Sequence, residues 1–151
     1  MSYFARFAAN AYATADVATG VASASPHQLT LMLYDAALKH MSKAHAHMAA
    51  GNIAEKGTAL SKSIRIIEEG LKGTLDLSQG DLALNLNGLY DYINQCLLRA
   101  NVSNDAAMLS EARALLQGMR DTWAAIAPIA RSAPPPLRMA ASFSSLSIAA
   151  A

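Results

Sequence analysis

Residues Ile53 to Leu75 read IAEKGTALSKSIRIIEEGLKGTL, and within them Ile53, Gly57, Leu60, Ile64, Ile67, Leu71 and Leu75 advance by 4, 3, 4, 3, 4 and 4. An α-helix turns once in about 3.6 residues, so this spacing lays one narrow apolar seam along a single face. A second row, Ala59, Ser63, Ile66, Gly70 and Gly73, advances by 4, 3, 4 and 3 on another face. Its residues are mostly small. Each glycine inside a helix costs about 1 kcal/mol relative to alanine, and the close approach of another helix is the expected compensation.

The neighbouring stretches repeat the seam. Leu82, Leu86, Leu89, Ile93, Cys96 and Ala100 form one row, and Leu109, Ala112, Leu116, Met119, Trp123 and Ile126 form another. Seams of this kind pack at about 20° in bundles, and short links make neighbours antiparallel. The punctuation between them is legible. Ser25, Pro26 and Gln28 make a capping box that opens a helix running to Met48 or Ala50 and closing at Gly51. Asn52 caps the next, Ser78 to Gly80 turn the chain, Asp81 starts a helix ending near Ala100, and Asn104 or Asp105 opens the last. Pro128 sets its end, and Pro134, Pro135 and Pro136 exclude further regular helix. The expected fold is all-α: an antiparallel four-helix bundle with helices of about 30 to 37 Å, a short N-terminal helical segment and a disordered C-terminal tail.

Composition agrees. The 151 residues hold 33 Ala and 19 Leu against three Val, eight Ile and six Thr, which favours helix over sheet. One domain is expected over residues 1–151, with an N-terminal segment at 1–20, the bundle at 25–127 and a flexible tail at 133–151. Twelve basic and eleven acidic residues leave a net charge of +1 with no basic stripe, so no nucleic-acid footprint is expected. The longest uncharged stretch near the start, Val17 to Tyr34, is broken by Gly20, Pro26 and polar residues, which excludes a membrane span there. The first fifteen residues lack the compact apolar centre of a secretory signal, and Cys96 is the single cysteine, so a reduced cytosolic setting is expected.

Chemistry finds little purchase. No Glu has a His three places on, which excludes the di-iron bundle pattern. His40, His45 and His47 cannot chelate together, because 45 lies about 140° around the helix from 40. Cys96 falls on a core seam with no positioned base, and no nucleophile elbow or phosphate-binding glycine loop is present. No cofactor, metal or catalytic residue is expected. His40 with Lys43 resembles the His-x-x-Lys centre of histidine phosphotransfer bundles, the alternative function. That chemistry needs an exposed imidazole, whereas His40 shares its helical angle with Leu29 and Leu33. The same helix places Leu31, Tyr34 and Leu38 almost opposite that row. Two helices are therefore apolar on two faces, and the second face is expected to hold the N-terminal segment, Phe4 to Thr19, to receive an amphipathic helix from another protein, or to do both if the segment occupies the groove until displaced.

Three runs carry a family resemblance: SPHQLTLMLYDAAL at Ser25 to Leu38, GNIAEKGTALSKSIRIIEEGLKGTLD at Gly51 to Asp76, and LNLNGLYDYINQCLLRANVSND at Leu84 to Asp105. They resemble the FliS family of flagellin-specific export chaperones, in the same order and with the same helix breaks, over about Asn10 to Ile126. The chain departs from the family's common Tyr-Asp-Gly with Tyr34, Asp35 and Ala36, and residues after Ala127 match nothing familiar. The resemblance implies a cytosolic bundle that binds the C-terminal region of unassembled flagellin, prevents its polymerisation and delivers it to the flagellar type III export gate. It also implies that Tyr12, in the AYA at Ala11 to Ala13, belongs to the groove. The expected partner-binding groove is thus Tyr12, Leu31, Tyr34, Leu38, Ala59, Ser63, Ile66 and Gly70. An anti-sigma factor is a further expected client, the expected state is a monomer or weak homodimer, and the sequence does not distinguish a polar from a lateral flagellin.

Overall fold

A computed structural model describes residues 6–8, 10, 11 and 24–126. Tyr12 and the tail at 133–151 lie outside the described residues, so the expectations placed on them are not addressed by it. The architecture is an all-α bundle: α1 (Pro26–Ala50), α2 (Ile53–Arg65), a π turn (Ile66–Leu71), two 3₁₀ turns (Lys72–Thr74 and Leu77–Gln79), α3 (Asp81–Ser103) and α4 (Ala106–Ala125). Residues 6–8, 10 and 11 are helical as well.

Local chemistry sets the ends. Ser25 and Gln28 form the expected reciprocal capping box, with Ser25 Oγ accepting from the Gln28 amide and Gln28 Oε1 from the Ser25 amide. Gly51 closes α1 in the left-handed region at φ 78°, a conformation that costs glycine nothing. Asn104 closes α3 in the same region at φ 51°, and the Asp105 carboxylate accepts from the amides of Ala107 and Met108 to open α4. Asn52 precedes α2 as expected, although its side chain pairs with His47 Nδ1 instead of capping.

α1 packs on α2, α4 and the π turn, while α3 packs on α4, α2 and the π turn, so α1 and α3 are diagonal partners. Across that diagonal the hydroxyls of Tyr34 and Tyr90 meet at 2.6 Å. The α4 seam is buried at every expected position, and α3 buries Leu86, Ile93, Cys96 and Ala100 together with Tyr90 and Leu97, which the expected seam omitted. Among the described residues no helix is long and apolar enough to cross a membrane.

Two expectations for the second long helix need correction. It is a regular α-helix for only 13 residues, and the helical run reaches Thr74 by changing pitch at Ile66. A π turn, whose hydrogen bonds reach one residue further, accommodates an extra residue, and here it turns Ile66, Ile67, Gly70 and Leu71 all inward. The expected seam therefore does not run straight: Leu60, Ile67 and Leu71 are enclosed, Ile64 and Leu75 are half-buried, and Ile53, at the helix's first position, is exposed. Gly73 is also exposed with open space around its Cα, so close packing compensates Gly70 alone.

Candidate functional site

The second face is real in the sense that α1 and the α2–π run bury residues on two sides, but it is not bare. α1 buries residues on more than one face through its middle, with Lys39 on an exposed strip. Leu33, Tyr34, Ala36, Ala37, His40 and Met41 are all buried in it. Ser63 makes a close α1–α2 approach chemically tolerable by donating its hydroxyl to the Ala37 carbonyl at 2.9 Å. A buried hydroxyl without such a partner would cost about 1–3 kcal/mol.

The π turn then brings Ile66 and Gly70 to a common flank. A methyl added to Gly70 would lie 2.8 Å from Phe7 Cε1, closer than side-chain carbons approach one another, and 3.1 Å from Leu33 Cδ2, tighter than most such contacts. Glycine at 70 thus provides a notch into which Phe7 of the N-terminal segment fits. Ala8 and Ala11 of that segment are buried, and the Arg65 guanidinium carbon stands 6.0 Å from the centre of the Phe7 ring, at the outer limit of a cation–π contact. At the segment's edge a pocket of about 170 Å³, open to solvent, is lined by Phe7, Asn10, Ala11, Lys62, Arg65 and Ile66.

The expected groove residues therefore separate. Ile66, only 4% exposed, and Gly70 lie on the flank that the N-terminal segment covers. Leu38 and Ala59 are buried and Leu31 is half-buried. Tyr34 is not brought to the flank: it is fully enclosed, and its hydroxyl faces Tyr90 inside the bundle. Burial pushes the ionisation of both phenols upward, Tyr90 well above its ordinary value. Ser63 is fully buried on its bond to Ala37. His40 is 2% exposed, which removes the open imidazole that phosphotransfer requires.

Three contacts escaped sequence reasoning. His27 and Trp123 lock the start of α1 to the end of α4: their rings stack at 4.6 Å, His27 Nε2 meets the Trp123 carbonyl at 2.8 Å, and Trp123 Nε1 donates to the His27 carbonyl at 3.0 Å. Lys56, only 2% exposed, donates to the Asn101 carbonyl and to Asn104 Oδ1, both at 3.0 Å, placing its charge on the C-terminal end of α3 where a cation is favoured. Phe7 had a usable signal, because Phe4, Phe7, Ala8 and Ala11 have helical spacing. Around the rim, Lys72 bonds Asp91 and Glu68, and these partners raise its ionisation, the Asp91 bond most. Arg120 holds Asp35 at 2.9 Å.

Residues 8–130 of the chain match the family described as Flagellar protein FliS. Among curated relatives, the chain is similar to a flagellar secretion chaperone FliS of Salmonella typhimurium, 45% identical over 119 residues that make up 78% of this chain and 88% of that protein. It is also similar to FliSB of Pseudomonas aeruginosa, 36% identical over 80% of this chain and 95% of that one. A FliS of Bacillus subtilis is 34% identical over 73% and 81% respectively. All three carry the name of a secretion chaperone.

Proposed function

The chain belongs to the FliS family of flagellar secretion chaperones, and from that premise we propose that it binds the C-terminal region of unassembled flagellin in the cytosol. It keeps that region from polymerising and presents it to the flagellar type III export gate. The observation that carries this reading is the flank of Ile66 and Gly70, an apolar surface covered by the chain's own short helical segment beside an open pocket of about 170 Å³.

A guest helix displaces the segment and takes over its bed. Covering apolar surface is worth about 25 cal/mol per Å², and part of that gain offsets the ordering of a guest that is disordered when free. Exchange suits the energetics, since most of the flank's burial is kept when one helix replaces another. The open pocket at the segment's edge gives a longer or bulkier apolar stripe further room. Binding of this kind involves no turnover.

Co-purification from the cytosol of flagellated cells tests the reading, with flagellin expected as the bound chain. Ile66→Asp places a charge in the bed and is expected to weaken flagellin binding by tens of fold, roughly the effect of stranding a charge in an apolar interface. Its helical circular dichroism is expected to stay near wild type, because the N-terminal segment can lift and let the carboxylate reach water. Unchanged affinity in Ile66→Asp would remove this flank from the site.

A further inference from the structure

The outer face of α3 is sparsely charged: in 23 residues the helix holds only Asp81, Asp91 and Arg99 as charged side chains. On that face Leu84, Gly88, Asp91, Gln95, Leu98 and Val102 advance by 4, 3, 4, 3 and 4, the spacing of a seam that packs on another helix. All but Asp91 are exposed, Leu98 by 53% and Val102 by 87%. Tyr92 and Arg99 flank the row and are exposed as well. A methyl built on Gly88 would meet nothing within 4 Å, so no contact inside the chain calls for a poor helix former in the middle of this helix. α1, which brings Leu33 to the bed of the N-terminal segment, is the diagonal partner of α3, so this face is turned away from the bed.

The row is complementary to itself. When a second α3 lies antiparallel on the first about a two-fold axis at Gln95, residues equally far from Gln95 in opposite directions face each other. Three positions out, Tyr92 meets Leu98, an aromatic ring on an aliphatic chain. Four out, Asp91 meets Arg99, and seven out, Gly88 gives Val102 the space to approach closely. The axis makes every such pair twice. Lys72 holds both Glu68 and Asp91, which leaves that group one negative charge in excess, and Arg99, which has no ion pair among the described residues, supplies the missing cation from the other copy. We propose that this face joins two copies of the chain in a weak antiparallel dimer centred on Gln95, with the bed of each copy left open to its guest. A single helix pair buries less than the roughly 1,600 Å² of a standard interface, so the dimer forms with a dissociation constant of about 0.1 mM.

The test is sedimentation velocity of the full chain from about 10 µM to about 1 mM, a range that brackets so small an interface. Wild type is expected to pass from monomer toward dimer as concentration rises. Leu98→Glu, at an exposed position, is expected to weaken association by about tenfold or more with helical circular dichroism near wild type. Arg99→Glu sets like charges against each other and is expected to weaken it by about three- to tenfold. Gly88→Gln is expected to raise the melting temperature of the monomer through helix propensity and yet to weaken association, a split that a glycine serving only the fold would not give. A wild-type chain that stays monomeric at the highest concentration would overturn the dimer, as would association indifferent to Leu98→Glu and Arg99→Glu. Loss of flagellin-peptide binding in Leu98→Glu from a wild type that does not dimerise would assign the face to the guest and overturn it too.

Discussion

Ile66 and Ile67 are adjacent in sequence, both are buried, and yet they belong to two different kinds of surface. Ile67 and Leu71 are fully enclosed, in the same core cluster as Leu60, Ile93 and Leu97 of the long helices. Ile66 and Gly70 lie instead against a short segment, where Phe7 meets Gly70 and Phe7 and Ala11 line an open pocket beside Ile66. Burial alone does not separate structure from function. What separates them is the cost of removing whatever does the covering, and the π turn lets consecutive residues serve both surfaces.

That contrast is broken most directly by matched substitutions. Ile67→Asp is expected to unfold the bundle or lower its stability by about 3–5 kcal/mol, the cost of an unpaired buried charge, read as loss of the thermal helical transition. Ile66→Asp is expected to keep a melt near wild type. Equal loss of stability in the two variants would make the two flanks one core.

Trp123→Ala comes next. It removes a ring stacked on His27 and the indole N–H bond to the His27 carbonyl, while the Trp123 carbonyl that meets His27 Nε2 stays in the backbone, and about 3 kcal/mol is expected to disappear from the denaturant midpoint analysis. Flagellin affinity is expected to stay within a factor of a few at temperatures where the variant is folded. A large loss of affinity at full folding would extend the site to the His27 end.

The smallest effect is alkaline. Burial keeps the phenols of Tyr34 and Tyr90 protonated in the folded chain, whereas free tyrosine ionises near pH 10. Above about pH 10 the unfolded chain therefore holds fewer protons, and stability falls as pH rises, by about 1.4 kcal/mol per unit for each such group. Lys72, raised by Asp91 and Glu68, acts in the same direction: its contribution is complete below the unfolded value and is lost as pH climbs through the folded one. Changing both Tyr34 and Tyr90 to Phe is expected to be nearly neutral at pH 7, since no partner is left orphaned, and to shallow the alkaline loss of stability. An unchanged alkaline slope would place both hydroxyls in water.

Much of the frame was legible because its causes are local or periodic. The capping box at Ser25 and Gln28 depends on residues three apart, and the α4 seam from Leu109 to Ile126 repeats without interruption, so both appear as expected. The π turn was not legible, because a uniform 3.6 period allots Ile66 and Ile67 to separate faces and only packing from both sides favours widening the turn. Tyr34 was placed on the outer flank by angle, but angle on one helix does not reveal that Tyr90, 56 residues on, waits across the diagonal. The role of Lys56 was illegible for the same reason: its acceptors at Asn101 and Asn104 are 45 and 48 residues away. Small-residue spacing set Ile66 and Gly70 on one flank, where the structure also has them, and the helical spacing of Phe7, Ala8 and Ala11 was a signal for the segment that covers it.

The central claim is that the cover and the guest compete for one bed. Deleting residues 1–18 and measuring the affinity of the flagellin C-terminal peptide by calorimetry addresses it directly. Competition predicts tighter binding without the segment, by about the factor that its own docking withholds from the guest. Weaker binding would instead assign the segment, Tyr12 included, to the guest's own contacts and contradict the account.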